Sequence, residues 1–328
     1  MLNCVNRTEN VPYKVLRRAA IVTFLLPLFT VGANAQLIDC AKVEEAWRNL
    51  PLSASHEDRA RVYDQAFNDS DCDGAVVENI GKQIIEARLD ALAPFQDLDG
   101  FGGDPEQLKQ GLFDLQEFGS HWRISFLLGE IYRKQRQAVP ALKAYQEALG
   151  LVDDEELTPA EPEHAMIARL RDRLDEMAVV VAQISTDPSD IKIPVTRSGQ
   201  SISQYSFQTR GYGRKKTLVP IQFVYDRDVM TETGRTSFED AQKALIKQGA
   251  PDIQVIGHTD PVGSDAYNVQ LSLKRAEAIR RALQASGYAG SIEVVGMGEA
   301  QPFRFDDPSL YSEDVRNQAH RRVEFVLK

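Results

Sequence analysis

The sequence predicts a multidomain chain: an all-α helical bundle followed by a compact α/β sandwich of order β-α-β-α-β-β. Three observations carry this expectation. From Val43 to about Val181 apolar residues recur at three-and-four spacing, without β-branched alternation, which is the mark of amphipathic helices. Past Leu218 the pattern becomes short alternating runs separated by helical stretches. Charge divides near the same place: residues 36–190 hold 15 Lys+Arg against 31 Asp+Glu, and residues 191–328 hold 19 against 16. Halves of different charge imply two domains with different jobs. A length of 328 residues accommodates both, and 43% hydrophobic residues with three cysteines exclude a collagen-like, disulfide-scaffold or wholly disordered chain. The net charge of −10 also speaks against nucleic acid as a partner, because a general nucleic-acid binder needs a basic surface.

Arg17 and Arg18 precede an apolar run at 19–29 that is shorter than the roughly 20 residues a bilayer requires. Val31-Gly32-Ala33-Asn34-Ala35 then places small residues at both positions of an A-x-A cleavage site. Residues 1–35 therefore read as a signal peptide, with a short retained anchor as the alternative. Leu37-Ile38-Asp39-Cys40 superficially resembles a lipid-attachment site, but Asp39 stands where a small residue is wanted. Export removes Cys4 and leaves Cys40 and Cys72 in an oxidising space. One disulfide between them, closing a loop of about 33 residues, would be worth ~3 kcal/mol. Two cysteines without nearby histidine make a weak metal site and a weak redox motif.

In the acidic half, Val43, Ala46 and Trp47 open one helix, and Ala60, Val62 and Ala66 mark a second. Val77, Ile80, Ile84, Ala87 and Ala91 stripe a third over 76–92. Within 121–151, Leu128-Gly129-x-x-Tyr132 followed by Ala141, Tyr145 and Ala148 matches the spacing of a tetratricopeptide unit. Small residues there let two antiparallel helices approach, while the tyrosines fill the groove between them. Ser125 and Asp153 depart from the pattern, which has Trp and Pro at those places. Another amphipathic helix covers 161–183. Residues 36–184 thus resemble a small tetratricopeptide-like domain, and such stacks usually present a groove to a protein or peptide. The expected partner of this half is an envelope protein that the sequence does not name.

Asp69-x-Asp71-x-Asp73-Gly74 supplies the first half of a calcium-loop pattern, but Ile80 stands where the bidentate carboxylate belongs. The alternative is a turn in which Asp73 caps the next helix. Asp97-Leu98-Asp99-Gly100 has Phe95 where a first ligand should be, so it reads as a turn. No metal ligand or cofactor is assigned.

Residues 185–206 read as a linker, and the basic cluster Arg210, Arg214, Lys215 and Lys216 that follows is expected to be solvated. Ile221, Phe223 and Tyr225 share one strand face. A helix beginning within 231–236 turns Phe238, Ala241 and Leu245 inward and stops at Gly249-Ala250-Pro251. Ile253 and Val255 form a strand ending at Gly257-His258-Thr259-Asp260, and a long helix covers 266–285. Ile292 and Val294, then Val323, Phe325 and Leu327, supply the last two strands.

One residue breaks the pattern of the long helix. At about 100° per residue, Ala278 and Ala282 fall within about 20° of Leu271, and Arg275 within about 40°, inside the apolar stripe, with Asn268 at about 60°. A guanidinium aimed at a core needs a partner or a ligand. Asp260, at the end of the preceding strand, is the nearest candidate in sequence, and strand ends are where ligands sit in open α/β sheets. An acid and an arginine facing one cleft suit a zwitterion, the carboxylate taking an ammonium and the guanidinium a carboxylate. A private Asp260–Arg275 ion pair is the alternative.

Gly257-His258-Thr259-Asp260-x-x-Gly263-Ser264-x-x-Tyr267-Asn268-x-x-Leu271-Ser272-x-x-Arg275-Ala276 resembles the signature of the OmpA-like peptidoglycan-binding domain. Gly296-x-Gly298-Glu299-x-x-Pro302, Arg321-Arg322-Val323-Glu324 and Phe223-Val224-Tyr225-Asp226 fit it in order. The resemblance covers 207–328 and implies non-covalent binding of peptidoglycan through the diaminopimelate of stem peptides. By motif position Asp260 and Arg275 would be the principal ligand residues, with Thr259, Asn268, Leu271, Asp226 and Arg321 lining the site. His320 stands where the family usually has Asn, which affects contacts at that rim. No barrel-strand pattern precedes the domain. The expected protein is non-enzymatic and belongs to the periplasm, associated with the cell wall, with the outer membrane as a second expected association. Two other readings are an envelope enzyme using His258 and Asp260, for which no hydrolase or phosphate-loop motif is present, and a calcium-dependent periplasmic adaptor.

Overall fold

The computed structural model describes residues 37–51, 54–91, 98, 102–185, 187, 190, 205–224 and 226–328. The signal-peptide expectation, the turn at 97–100, most of the 185–206 linker and Tyr225 lie outside the described residues. Seven helices form the described part of the first half: α1 (Cys40–Arg48), α2 (His56–Asp64), α3 (Gly74–Ala91), α4 (Pro105–Leu115), α5 (Trp122–Lys134), α6 (Ala138–Asp153) and α7 (His164–Ile184). Cys40 and Cys72 are joined in a disulfide, beside a bridge between Ile38 and Ser70. Asp71 accepts from the Cys40 N–H at 2.7 Å and Asp73 from the Val76 N–H at 3.0 Å, so two of the three carboxylates of the calcium-like loop serve backbone donors. Among the described residues no group of three His, Cys, Asp or Glu could hold a metal ion.

Helix α4 was not anticipated. Its signal is Asp104-Pro105: Asp104 accepts from the Glu106 N–H at 3.0 Å and Pro105 occupies the first turn, where its missing N–H costs nothing. Helices α5 and α6 form the anticipated hairpin, and Gly129 shows why a small residue is needed there. A Cβ at Gly129 would lie 2.5 Å from the Tyr145 ring. One core joins α1–α4 to one side of α5 through Ile84, Ile85, Leu89 and Leu112, and a second joins α5, α6 and α7 through Leu142, Tyr145, Leu170 and Leu174.

The second half opens with a short hairpin, β1 (Gln208–Thr209) and β2 (Tyr212–Gly213). Then follow β3 (Lys216–Val219), α8 (Glu232–Lys247), β4 (Ile253–Gly257), α9 (Asp265–Ala285), β5 (Ile292–Gly296), α10 (Glu313–His320) and β6 (Val323–Leu327). The four-stranded sheet has the order β3-β6-β4-β5, with β4 and β5 parallel and β6 antiparallel to both neighbours. Alternation sends Val219, Val255, Val323 and Phe325 to the face covered by Phe238, Leu245, Ile279 and Leu283 of α8 and α9.

Three sequence expectations need correction here. The first strand is β3, not the 221–225 segment: Pro220 has no N–H to continue the ladder, and Phe223 instead bridges Met230. The stretch before β6 contains α10, which Ser312 caps by accepting from the Val315 N–H at 3.4 Å. The basic cluster is only partly solvated: Lys215 and Lys216 are exposed, but the two arginines are engaged. Arg210 donates to the carbonyl of Thr158 at 2.9 Å, Arg214 donates to Asp175 at 2.9 Å, and Lys216 lies 3.3 Å from Glu324. The acidic half thus supplies a main-chain carbonyl to Arg210 and a carboxylate to Arg214, whereas Lys216 is paired within its own half.

The two halves also share a buried ionic cluster. Glu130, which has no exposed surface, accepts from Arg173 Nε at 2.7 Å and from the Tyr145 hydroxyl at 2.5 Å, and Arg133 lies 3.4 Å away. Arg173 reaches Asp306 of the α/β half at 2.9 Å. Glu176 accepts from the Tyr311 hydroxyl at 2.6 Å and from the Asp306 N–H at 3.2 Å. Burial works against the Arg173 charge, but Glu130 outweighs it and holds the guanidinium above its ordinary value.

On the other face of the sheet, Glu324 lies 2.9 Å from Arg322 and 3.5 Å from His258, all three buried. Burial opposes the Glu324 charge, yet His258 and Arg322 pull its carboxyl down to about 2. Three outcomes are expected. In urea denaturation Arg173→Ala costs about 3–5 kcal/mol, because it leaves a buried carboxylate short of its partner. Asp306→Asn, at a side chain 47% exposed, costs about 1 kcal/mol or less. With its folded value below 4.5, Glu324 contributes stability that is present above about pH 4.5 and lost as pH falls toward 2. The melting temperature of Glu324→Gln therefore declines less steeply over that window than that of the wild type.

Candidate functional site

The end of β4 and the start of α9 approach closely because Gly257 has no side chain: a Cβ there would lie 2.2 Å from the Ser272 carbonyl. That contact sets Asp260 beside α9. Asp260 accepts from the Val262 N–H at 3.1 Å and from Arg321 Nη1 at 2.8 Å. No ion pair joins Asp260 to Arg275 among the described residues, so the private-pair alternative is not the arrangement found.

Arg275 is 4% exposed. Its Nε donates to the Arg227 carbonyl at 3.1 Å, and its guanidinium carbon lies 5.1 Å from the centre of the Phe223 ring. The two terminal nitrogens have no hydrogen-bond partner among the described residues. Burial, then the neighbouring Arg321, lowers the guanidinium to about 10, against the opposing pull of Asp260, Asp226 and Asp228. It remains a cation at neutral pH, held where a cation is costly. A cavity of about 210 Å³ opens here, lined by Gln183, Gln222, Phe223, Arg275, Gln318 and Arg321.

Of the seven residues expected from the sequence, Arg275 and Arg321 line this cavity and Asp260 is tied to it through Arg321. Asn268 is buried, donating to the Asp260 carbonyl at 3.3 Å and to Glu299 at 2.6 Å. Thr259 is buried, and its hydroxyl has no partner among the described residues. Asp226 accepts from the Tyr267 hydroxyl, at a backbone position with φ of 56°. Leu271 is half-buried on α9 and does not line the cavity. His320 accepts from the Phe303 N–H at 3.0 Å, so it holds the preceding loop rather than a ligand. His258, 1% exposed, lies 3.5 Å from Glu324, does not line the cavity and makes no hydrogen bond to Asp260 among the described residues.

Sequence reasoning missed Gln183, Gln222 and Gln318. Gln222 adjoins the quoted Phe223 motif and Gln318 lies on the unanticipated α10, whereas Gln183 belongs to the other half of the chain.

Residues 222–313 match the model of the OmpA family. Outer membrane porin F of Pseudomonas fluorescens is 34% identical over 83 residues, 25% of this chain and 26% of that protein. The peptidoglycan-associated lipoprotein of Legionella pneumophila is 30% identical over 108 residues, 32% of this chain and 58% of that protein. The crystal structure of the peptidoglycan-associated lipoprotein from Burkholderia pseudomallei is 26% identical, covers 35% of this chain and 91% of that one, and has a TM-score of 0.28. This chain thus spans 26% and 58% of the length of the two sequence relatives. The family match includes Asp260, Asn268 and Arg275 and ends before Arg321.

Proposed function

We propose that this chain, with its OmpA-family domain at 222–313, is an exported envelope protein that binds peptidoglycan without covalent attachment. The ligand group is the diaminopimelate of stem peptides. The observation that carries this reading is Arg275, a buried cation that lines a cavity and whose terminal nitrogens have no hydrogen-bond partner among the described residues. A ligand carboxylate between Arg275 and Arg321 would satisfy both guanidiniums. Asp260 keeps acceptor capacity for the ligand ammonium beside its bonds to Arg321 and Val262. The protein acts here by binding rather than catalysis. Its place is the periplasm, at the wall, and among the described residues no helix is long and apolar enough to cross a membrane.

In the same reading residues 1–35 are a signal peptide, 36–184 a tetratricopeptide-like domain, 185–206 a linker and 207–328 the wall-binding domain. The Gly129–Tyr145 approach of α5 and α6 supports the repeat-like assignment. A groove of about 590 Å³ between α1 and α3, with Trp47 on its wall, is where this domain would present a surface to an envelope protein.

The test is co-sedimentation of the full chain with diaminopimelate-type sacculi. Asp260→Ala and Arg275→Ala each abolish pelleting while circular dichroism stays unchanged. Retained pelleting of both variants overturns the site assignment.

A further inference from the structure

Glu176, Val179 and Gln183 follow one another at spacings of three and four along α7, which puts them on one helix face within about 60°. The α/β half holds that face at two successive points. Glu176 binds the Tyr311 hydroxyl and the Asp306 N–H, and Val179, 1% exposed, packs with Leu218 of β3 and Ala319 of α10. One turn further, Gln183 lines the Arg275 cavity together with Gln318, the neighbour of Ala319. Neither the Gln183 nor the Gln318 carboxamide makes a hydrogen bond among the described residues.

We infer that Gln183 is a ligand contact, so that the helical half supplies one wall of the wall-binding site and reads a peptide amide next to the bound carboxylate. This rests on the reading of the cavity as a carboxylate site given above. Two chemistries meet in the cavity. Arg275 and Arg321 offer charge to a carboxylate, whereas the carboxamides offer a neutral donor and acceptor each, which is the complement of a backbone C=O and N–H. A free amino acid has no backbone amide to use them. The ligand is therefore a peptide carrying diaminopimelate, and Gln183 contributes to choosing the peptide over the free amino acid.

The experiment is calorimetric titration of the full chain with a diaminopimelate-containing tripeptide and with free diaminopimelate. The wild type binds the tripeptide more tightly. Gln183→Ala weakens tripeptide binding by about fivefold, the loss of one neutral hydrogen bond, and leaves both the affinity for free diaminopimelate and the melting temperature unchanged. Gln183→Glu weakens both ligands by setting a carboxylate against theirs. If Gln183→Ala binds the tripeptide as the wild type does, while Arg275→Ala does not bind it, the inference is overturned and the cavity assignment stands. If Arg275→Ala also binds as the wild type does, the cavity assignment falls and the inference with it.

Discussion

Glu130 is a carboxylate with no exposed surface, and the relation between the two halves follows from what such a group requires. A buried charge survives only with close partners of opposite sign and filled hydrogen bonds. Arg173 supplies the partner from α7, Tyr145 the hydroxyl from α6, and Arg133 a second cation from its own helix. Arg173 then spends its other arm on Asp306, which belongs to the α/β half. One carboxylate therefore draws α5, α6, α7 and the 303–312 loop to a common point. Contacts between domains of one chain are usually modest and permit motion. Here Phe305, Tyr311 and Val315 also pack on the helical core around that ionic point.

Arg275 obeys the same electrostatics with the opposite outcome. Arg173 has its donors taken up inside the protein, by Glu130 and Asp306. Arg275 is as deeply buried, yet a carbonyl takes its Nε and an aromatic face lies against its plane, leaving its terminal donors toward a cavity. A cation kept out of water without a full set of partners stores binding capacity for an anion. Asp260 and Arg321 pair at the rim, with Arg321 33% exposed, whereas no carboxylate is paired in this way with Arg275 among the described residues.

Much of the α/β half was legible because its signals are local. Period changes separate strands from helices, and Thr231 and Ser264 mark the starts of α8 and α9 by capping them. Helices α4 and α10 were not legible from periodicity, being 11 and 8 residues long, though their caps at Asp104 and Ser312 announce them. The misplaced first strand has an equally local cause in Pro220, whose missing N–H ends the ladder at Val219. Arg210 and Arg214 misled for a different reason: their carbonyl and carboxylate partners lie 39 to 58 residues earlier, in the other half.

Local pattern alone marks the change of fold class near the middle of the chain, the Cys40–Cys72 pairing, and an arginine inside the apolar stripe of α9. The first and third depend on spacing along one element, and the second on Cys40 and Cys72 being two cysteines of the same half. Packing between distant elements is what makes Asp260 bond Arg321 rather than Arg275, sets Phe223 by the Arg275 guanidinium, and brings Gln183 to the same cavity from the helical half. Those contacts are set by how separate elements pack, and the charge that binds α7 to the 303–312 loop is what brings the last of them into place.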